Sequence, residues 1–156
     1  MGTNYYFRKK SVDLPRLYSI IDNLNADYKA LIAKYNEMLA VARSEMGLEC
    51  GSELDYRHDF VLPDRHDDIG DIHVGKTSGG WKPLMQASEH FHSIETLKQW
   101  YEQNKDEYIF IDGSDEAVSF EEYLHKIHEW NQDPENKRHD FSQGVDGFDW
   151  TYREFS

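Results

Sequence analysis

Cysteine is nearly absent. Cys50 is the only one in 156 residues, which excludes an intrachain disulfide and any zinc site built on two thiolates. No window approaches the ~18–20 consecutive apolar residues of a membrane span. The opening Met1-Gly2-Thr3-Asn4-Tyr5-Tyr6 lacks the basic-then-apolar layout of a signal peptide. The expectation is a soluble protein of the cytoplasm. Positive charge is also short: 17 Lys and Arg stand against 30 Asp and Glu, a net charge of −13. A field of that sign repels nucleic-acid phosphates and anionic membrane and favours basic protein surfaces or cations. No internal repeat, low-complexity tract or G-x-S-x-G nucleophile elbow is present. Cys50 stands beside Glu49, which raises a thiol pKa, so cysteine catalysis is not indicated.

What is there suffices for a core: 38% of the residues are hydrophobic, with 4 Trp, 10 Tyr and 8 Phe, and wholesale disorder is excluded. The length suits one domain, 1–156. Charge is uneven along it: residues 1–10 carry +3, 11–49 carry −2 and 50–156 carry −14.

Residues 11–49 read as a long helical insertion. Asp13 can cap it, Pro15 fits its first turn and Gly47 offers a stop. Leu17, Ile21, Leu24, Tyr28, Leu31, Tyr35, Met38 and Ala42 alternate steps of four and three, the spacing of a coiled-coil seam. Some partner must cover that stripe. About 30 helical residues extend roughly 45 Å, so the helix protrudes, breaks, or folds back near Asn23-Leu24-Asn25 as a hairpin.

Gly51 to Asp71 reads as a polar loop broken by Pro63, with a short strand at Phe60-Val61-Leu62. Ile72–Val74 and Trp81–Met85 read as a β-hairpin joined by a glycine-rich connection. Ser93 opens a helix to about Asn104, and Tyr108–Ile111 follows as a strand. Ser119 with Glu122 forms a capping-box pattern for a helix to about Asn131. Phe148, Trp150 and Tyr152 alternate as a last strand. The fold class is therefore α+β: a small, largely antiparallel sheet with two short helices and one long N-terminal helix or helical hairpin.

Gly70 to Thr77 matches the phosphate-loop pattern G-x-x-x-x-G-K-[ST] letter for letter. Its context does not fit. Pro63-Asp64-Arg65-His66-Asp67-Asp68 is no buried strand, and Ser78-Gly79-Gly80-Trp81-Lys82-Pro83 cannot begin the helix whose N–H groups would hold phosphate. Lys76 and Thr77 read as hairpin residues. A second constellation, His58-Asp59, Asp64, His66-Asp67-Asp68, Asp71 and His73, has the residue types of a divalent-metal site, with His58, His66 and His73 as ligands. Its spacing matches no zinc-hydrolase template, and no general base stands out. His125 with His128, and His90 with His92, are weaker pairs of the same kind.

The Met1-Gly2-Thr3-Asn4-Tyr5-Tyr6 block, and later Ile72-His73-Val74-Gly75-Lys76-Thr77-Ser78-Gly79-Gly80-Trp81, resemble a family of small uncharacterised phage and prophage proteins. The resemblance continues through Trp100, the Ile111–Tyr123 region and the closing Gly147-Phe148 to Ser156, about half the chain. Members often carry paired cysteines between the two blocks as a small zinc ribbon. This sequence has the long helix and a His/Asp loop there, so no ribbon carries over. The resemblance implies a phage or mobile-element origin, no activity, and one structural unit containing Asn4, Tyr5, Tyr6, Gly75, Lys76, Ser78 and Trp81. Within that unit the tyrosine rings would lie against Trp81.

The functional expectation is a non-enzymatic, cofactor-free accessory protein that binds a host protein with a basic surface, as anti-defence inhibitors do. Leu24, Tyr28, Leu31 and Tyr35 on the helix and Lys76, Ser78 and Trp81 near the hairpin are the candidate contacts. Direct nucleic-acid or membrane binding is not expected. Two alternatives stay open: a divalent-metal hydrolase using the His/Asp loop, and a structural phage protein that forms a homodimer through the helix.

Overall fold

The computed structural model describes residues 2–49, 51–62, 65–141 and 144–156. The chain divides into two compact units, Met1–Val12 with Asp64–Ser156, and Asp13–Pro63. The insertion is therefore longer than the 11–49 read from sequence, and it forms a unit of its own within what reads as a single domain.

The first unit is built on a five-stranded sheet, β1 (Gly2–Lys9), β2 (Ile72–Ser78), β3 (Leu84–Gln86), β4 (Tyr108–Asp112) and β5 (Asp149–Thr151), in the order β4-β1-β2-β3-β5. Every pairing is antiparallel except β3 with β5, which is parallel. Tyr5, Tyr6, Phe7 and Arg8 of β1 are all buried, because this central strand is covered on both faces. Tyr5 and Phe7 point to one face, where they meet α3 (Ile94–Asn104) and α4 (Phe120–Gln132). The Phe7 ring lies 4.8 Å from Trp100 and 5.7 Å from Phe120, and Tyr5 lies 4.5 Å from Tyr123. Phe91, Leu97, Phe110 and Ile127 complete the core, each side chain contributing about 1.5–3 kcal/mol by burial.

Both helices start where their side-chain chemistry dictates. Ser93 and Thr96 form a reciprocal capping box, and the Ser119 hydroxyl accepts from the Glu122 N–H at 3.3 Å. A short helix, α2 (Arg65–Asp68), precedes β2.

Three strand assignments change. Gly75, Lys76 and Thr77 belong to β2, extending it to Ser78, and Trp81 lies outside β3 in an isolated bridge to Lys137. Phe60, Val61 and Leu62 form no strand. Gly75 is what permits the β2–β3 contact: a Cβ there would lie 2.8 Å from the Leu84 carbonyl oxygen and 3.1 Å from the Tyr123 hydroxyl. The tyrosines of β1 do not lie against Trp81. Tyr5 stacks on Phe110, and Trp81 stacks on His139 at 5.1 Å.

The second unit is one helix and its return. α1 runs unbroken through Leu14–Glu45, 32 residues, with no fold-back at Asn23–Asn25. Asp13 Oδ1 accepts from the Arg16 N–H at 3.1 Å. At the other end Gly47 takes φ +76°, the Leu48 N–H reaches the Arg43 carbonyl and the Gly47 N–H that of Ser44, a Schellman closure. The polar stretch 51–62 then runs back along the helix as an extended strap. Arg43 donates to the Ser52 carbonyl. Asn36 donates to the Leu54 carbonyl and accepts from the Leu54 N–H, both at 2.8 Å, and Asn25 does the same with Phe60 at 3.0 and 2.5 Å. Tyr28 packs its ring on Tyr56 and Phe60. Beneath the strap Ile32 is buried.

Candidate functional site

Tyr6 and Arg8 point away from the aromatic core, and the face they form carries the densest set of titratable groups in the first unit. A register shift between Tyr5 and Tyr6 decides which groups those are. Tyr5 pairs with Gly75 but Tyr6 with His73, so Val74 is the extra residue and His73 lands beside Tyr6. The Tyr6 ring stacks on His66 at 3.8 Å and on His73 at 4.9 Å. Arg8 grips Asp71 through Nε at 2.9 Å and Nη2 at 2.6 Å, and Asp71 also meets His66 Nδ1 at 2.8 Å. The Asp71 side chain is wholly inaccessible. Asp115, held at φ +65° in the turn after β4, bridges Arg8 at 2.9 Å and Arg65 at 3.0 Å. This placement explains the Arg8 pKa: the Asp71 hydrogen bonds raise it against an opposing desolvation, and Asp115 adds to the rise.

A cleft of about 470 Å³ lies over this face, lined by Tyr6, His66, Asp71, His73, Gln86, Tyr152 and Phe155 among others. Its charged groups are paired with one another, while the buried Gln86 Oε1 has no hydrogen-bond partner. His66 engages Asp71 through Nδ1 and approaches Arg65 Nη2 at 3.3 Å through Nε2, so neither ring nitrogen is left to take a substrate proton. His73 Nε2 meets Asn4 Oδ1 at 3.1 Å, and the ring sits 4.6 Å from Phe155. Burial pushes the His73 pKa down to about 4, against a smaller opposing pull from the Gly75 backbone and the Gln86 side chain. His73 is thus neutral at physiological pH.

The three histidines proposed as metal ligands are divided between the two units. His66 and His73 flank Tyr6, whereas His58 belongs to the other unit, on the strap. Asp59 pairs with the Tyr56 hydroxyl and faces Lys29 at 3.8 Å, and Asp71 is occupied by Arg8. Asp64, Pro63 and Cys50 lie outside the described residues. Among the described residues no group of three or more His, Cys, Asp or Glu is placed to hold a metal ion. His125 and His128 take separate partners, Glu129 and Gln132. His90 lies edge-on to Trp100, and the His92 backbone N–H donates to Thr96.

The phosphate-loop match is likewise used otherwise. Lys76 pairs with Asn4 on one side and Leu84 on the other, so its backbone serves the sheet ladder, and its Nζ donates to the Ser156 carbonyl at 2.6 Å. Ser78 closes β2 opposite Gly2. Trp81 is 41% exposed above His139. The loop under it is fixed by Asp149, buried completely, which accepts from Arg138 Nη1 at 2.7 Å and the His139 N–H at 3.0 Å.

On α1 the predicted contacts divide. Tyr28 is engaged by the strap, while Leu24, Leu31 and Tyr35 stand 51%, 63% and 50% exposed, with Met38 at 63% beside them. Arg8 and Asp115 were not singled out from sequence. The signal was present in Tyr5-Tyr6-Phe7-Arg8: an arginine inside a strand of large aromatics is buried, and a buried guanidinium needs carboxylates.

Comparison with known proteins finds no matching family model, no matching curated protein and no matching solved structure. Among the described residues no helix is long and apolar enough to cross a membrane.

Proposed function

We propose that this chain is a non-enzymatic, acidic, phage-type accessory protein that occupies the basic surface of a host protein in the bacterial cytoplasm. A nucleic-acid-binding defence protein is the kind of target this chemistry fits, and the outcome would be inhibition. The observation that carries the reading is the excess of exposed acid on the first unit's helices: Glu95, Glu102, Glu121, Glu122 and Glu129 face solvent against Lys98 and Lys126, with Glu102 also paired to Lys105, while Arg8 and Arg138 are tied to the buried carboxylates of Asp71 and Asp149 and Arg65 to Asp115. Such a surface steers association with a basic partner and raises the on-rate more than the affinity. Trp81, exposed and held flat against His139, supplies an anchor of the kind that interfaces use. The satisfied Arg8–Asp71–His66 network supports a binding role over catalysis, since no base or nucleophile in it is free.

The test is a nuclease-treated pull-down from host lysate at low and moderate salt, run beside a variant with Glu95, Glu102, Glu121, Glu122 and Glu129 changed to Gln. One stoichiometric host protein, released by salt and missed by the variant, is expected. An empty pull-down, or capture indifferent to both salt and the substitutions, would overturn the reading.

A further inference from the structure

The strap does not finish covering α1. Successive helical residues turn by 100°, so Leu24, Leu31 and Met38 fall on one line, and Asn25, Ile32 and Leu39, the strap side, fall on another about 100° round. The first line is bare: Leu24, Leu31 and Met38 are 51%, 63% and 63% exposed. Ile20 at 50% and Val41 at 54% flank it on the side away from the strap, and Tyr35 at 50% flanks it on the other. Soluble chains seldom leave so continuous an apolar stripe to water.

The flanking line that begins at Ile20 and ends at Val41 contains two charges between them, Asp27 and Lys34, both exposed. Seven residues apart on one helix, they are about 10 Å apart along its axis and too far to pair with one another. Their positions are nonetheless symmetric about Leu31 to within one residue. Asp27 lies four residues before Leu31 and Lys34 three after, just as Ile20 and Val41 lie eleven before and ten after.

We propose that a second copy of this chain covers the stripe, the two α1 helices running antiparallel about a two-fold axis beside Leu31. That arrangement sets Leu31 beside Leu31, Leu24 beside Met38 twice, and Ile20 beside Val41 twice. It also sets Asp27 of each copy against Lys34 of the other, so both charges meet an opposite sign. A parallel pair has no such match: the Ile20-to-Val41 line of one helix would then face the strap side of the other, and Asp27 and Lys34 would meet Ile32 and Leu39 under the strap. Six large side chains at about half exposure or more release on the order of 500 Å² of apolar surface per copy. With its polar flanks the face approaches the ~800 Å² per partner of a stable interface. The inference goes beyond the host-binding reading and is independent of it, because it concerns the purified chain alone and uses no residue of the acidic helices and not Trp81.

The test is the mass of the purified full chain in solution across a concentration series, by light scattering and sedimentation equilibrium. A reversible dimer is expected. Leu31→Asp should return it to monomer with helical circular dichroism unchanged. Asp27→Lys and Lys34→Asp should each weaken the dimer about tenfold, and the two together should restore it, since the swap re-creates both pairs. Direction is read by disulfide capture in a Cys50→Ser background: Leu24→Cys protein should cross-link to Met38→Cys protein and not to itself. A monomer at every concentration, self-linking of Leu24→Cys, or a double charge swap no better than either single would each overturn the proposal. So would a wild-type monomer whose stripe residues are needed only for capture of a different protein.

Discussion

Asn25 and Asn36 stand eleven residues apart on α1, three turns and therefore on one face, and each holds the strap by both ends of its amide. The side chains imitate a strand: each offers a donor and an acceptor to one residue's backbone, at Phe60 and Leu54. The helix advances about 16 Å between them, and the six residues from Leu54 to Phe60 can span about 20 Å when extended. The strap is thus nearly straight, and further contacts to α1 come from the Arg43 bond, the Tyr28, Tyr56 and Phe60 rings, and Lys29, which faces Asp59 at 3.8 Å and lies over the Tyr56 ring.

Asn36→Ala should free the middle of the strap without unfolding α1. Two exposed side-chain-to-backbone bonds disappear, each contributing about 0.5–1.5 kcal/mol. Hydrogen exchange at the Leu54 amide should accelerate by one to two orders of magnitude, and trypsin should cut after Arg57 sooner. Asn25→Ala should do the same at the Phe60 amide. If those amides exchange at wild-type rates, the two asparagines do not hold the strap.

The pair Arg8 and Asp71, 63 positions apart in sequence, joins β1 to the residue that precedes β2. Asp71→Asn removes the charge that balances a guanidinium whose side chain is 7% exposed. Asp115 remains at 2.9 Å and compensates in part, so a loss of about 2–4 kcal/mol is expected in urea unfolding. Replacing both partners with apolar residues, Arg8→Met with Asp71→Leu, should recover most of that loss, because no unpaired charge is left buried. A double variant as unstable as Asp71→Asn would mean that Asp71 matters chiefly through His66.

His73 gives the fold a pH dependence of known sign. Its folded pKa of about 4 lies below its ordinary value of 6.5, so between those limits the unfolded chain binds a proton that the folded chain refuses. Stability is therefore whole above about pH 6.5, falls as the pH drops toward 4, and loses at most about 3 kcal/mol from this group. The groups around the ring are Asn4, Tyr6, Gln86 and Phe155, with His66 and Lys76 nearby. Urea midpoints measured from pH 7 to 4 should fall less steeply for His73→Gln than for the wild type, a difference that cancels the carboxylates common to both. Parallel curves would show that His73 is protonated without cost in the folded state.

Much of this architecture is legible in residue order. Asp13, Pro15 and Gly47 mark the ends of α1 because caps are local chemistry, and Ser93 and Ser119 announce α3 and α4 for the same reason. The helical period of α4 follows from the spacing of Phe120, Tyr123 and Ile127, and the antiparallel β2–β3 pairing from the short glycine-rich connection between them. What residue order hides is non-local pairing. The strap was illegible because its bonds to Asn25 and Asn36 use polar residues ordinary in any loop. The His/Asp run from His58 to His73 looks like one cluster, yet the chain sends its first part along α1 and its last part across β1. The exposed stripe was legible as a seam, but only the strap's position shows which side of it stays bare.

Gly75 separates the two readings of the segment Gly70 to Thr77 by experiment. Were it a phosphate-binding loop, Gly75→Ala would impair nucleotide binding and leave the fold standing, because the glycine would serve the ligand's approach. In the sheet it serves the chain's own packing: the added methyl meets the Leu84 carbonyl at 2.8 Å, the Tyr123 hydroxyl at 3.1 Å and the Met85 sulfur at 3.3 Å. Leu84 cannot yield, being paired with Lys76 in the ladder, and Tyr123 is locked in the core. The substitution should therefore cost about 2 kcal/mol or more in thermal or urea unfolding. Lys76→Ala, which removes an exposed side-chain bond to the Ser156 carbonyl, should shift the same midpoint by no more than about 0.5 kcal/mol. A Gly75→Ala protein as stable as the wild type would mean that β2 and β3 do not approach so closely, and would reopen the loop reading of Lys76 and Thr77.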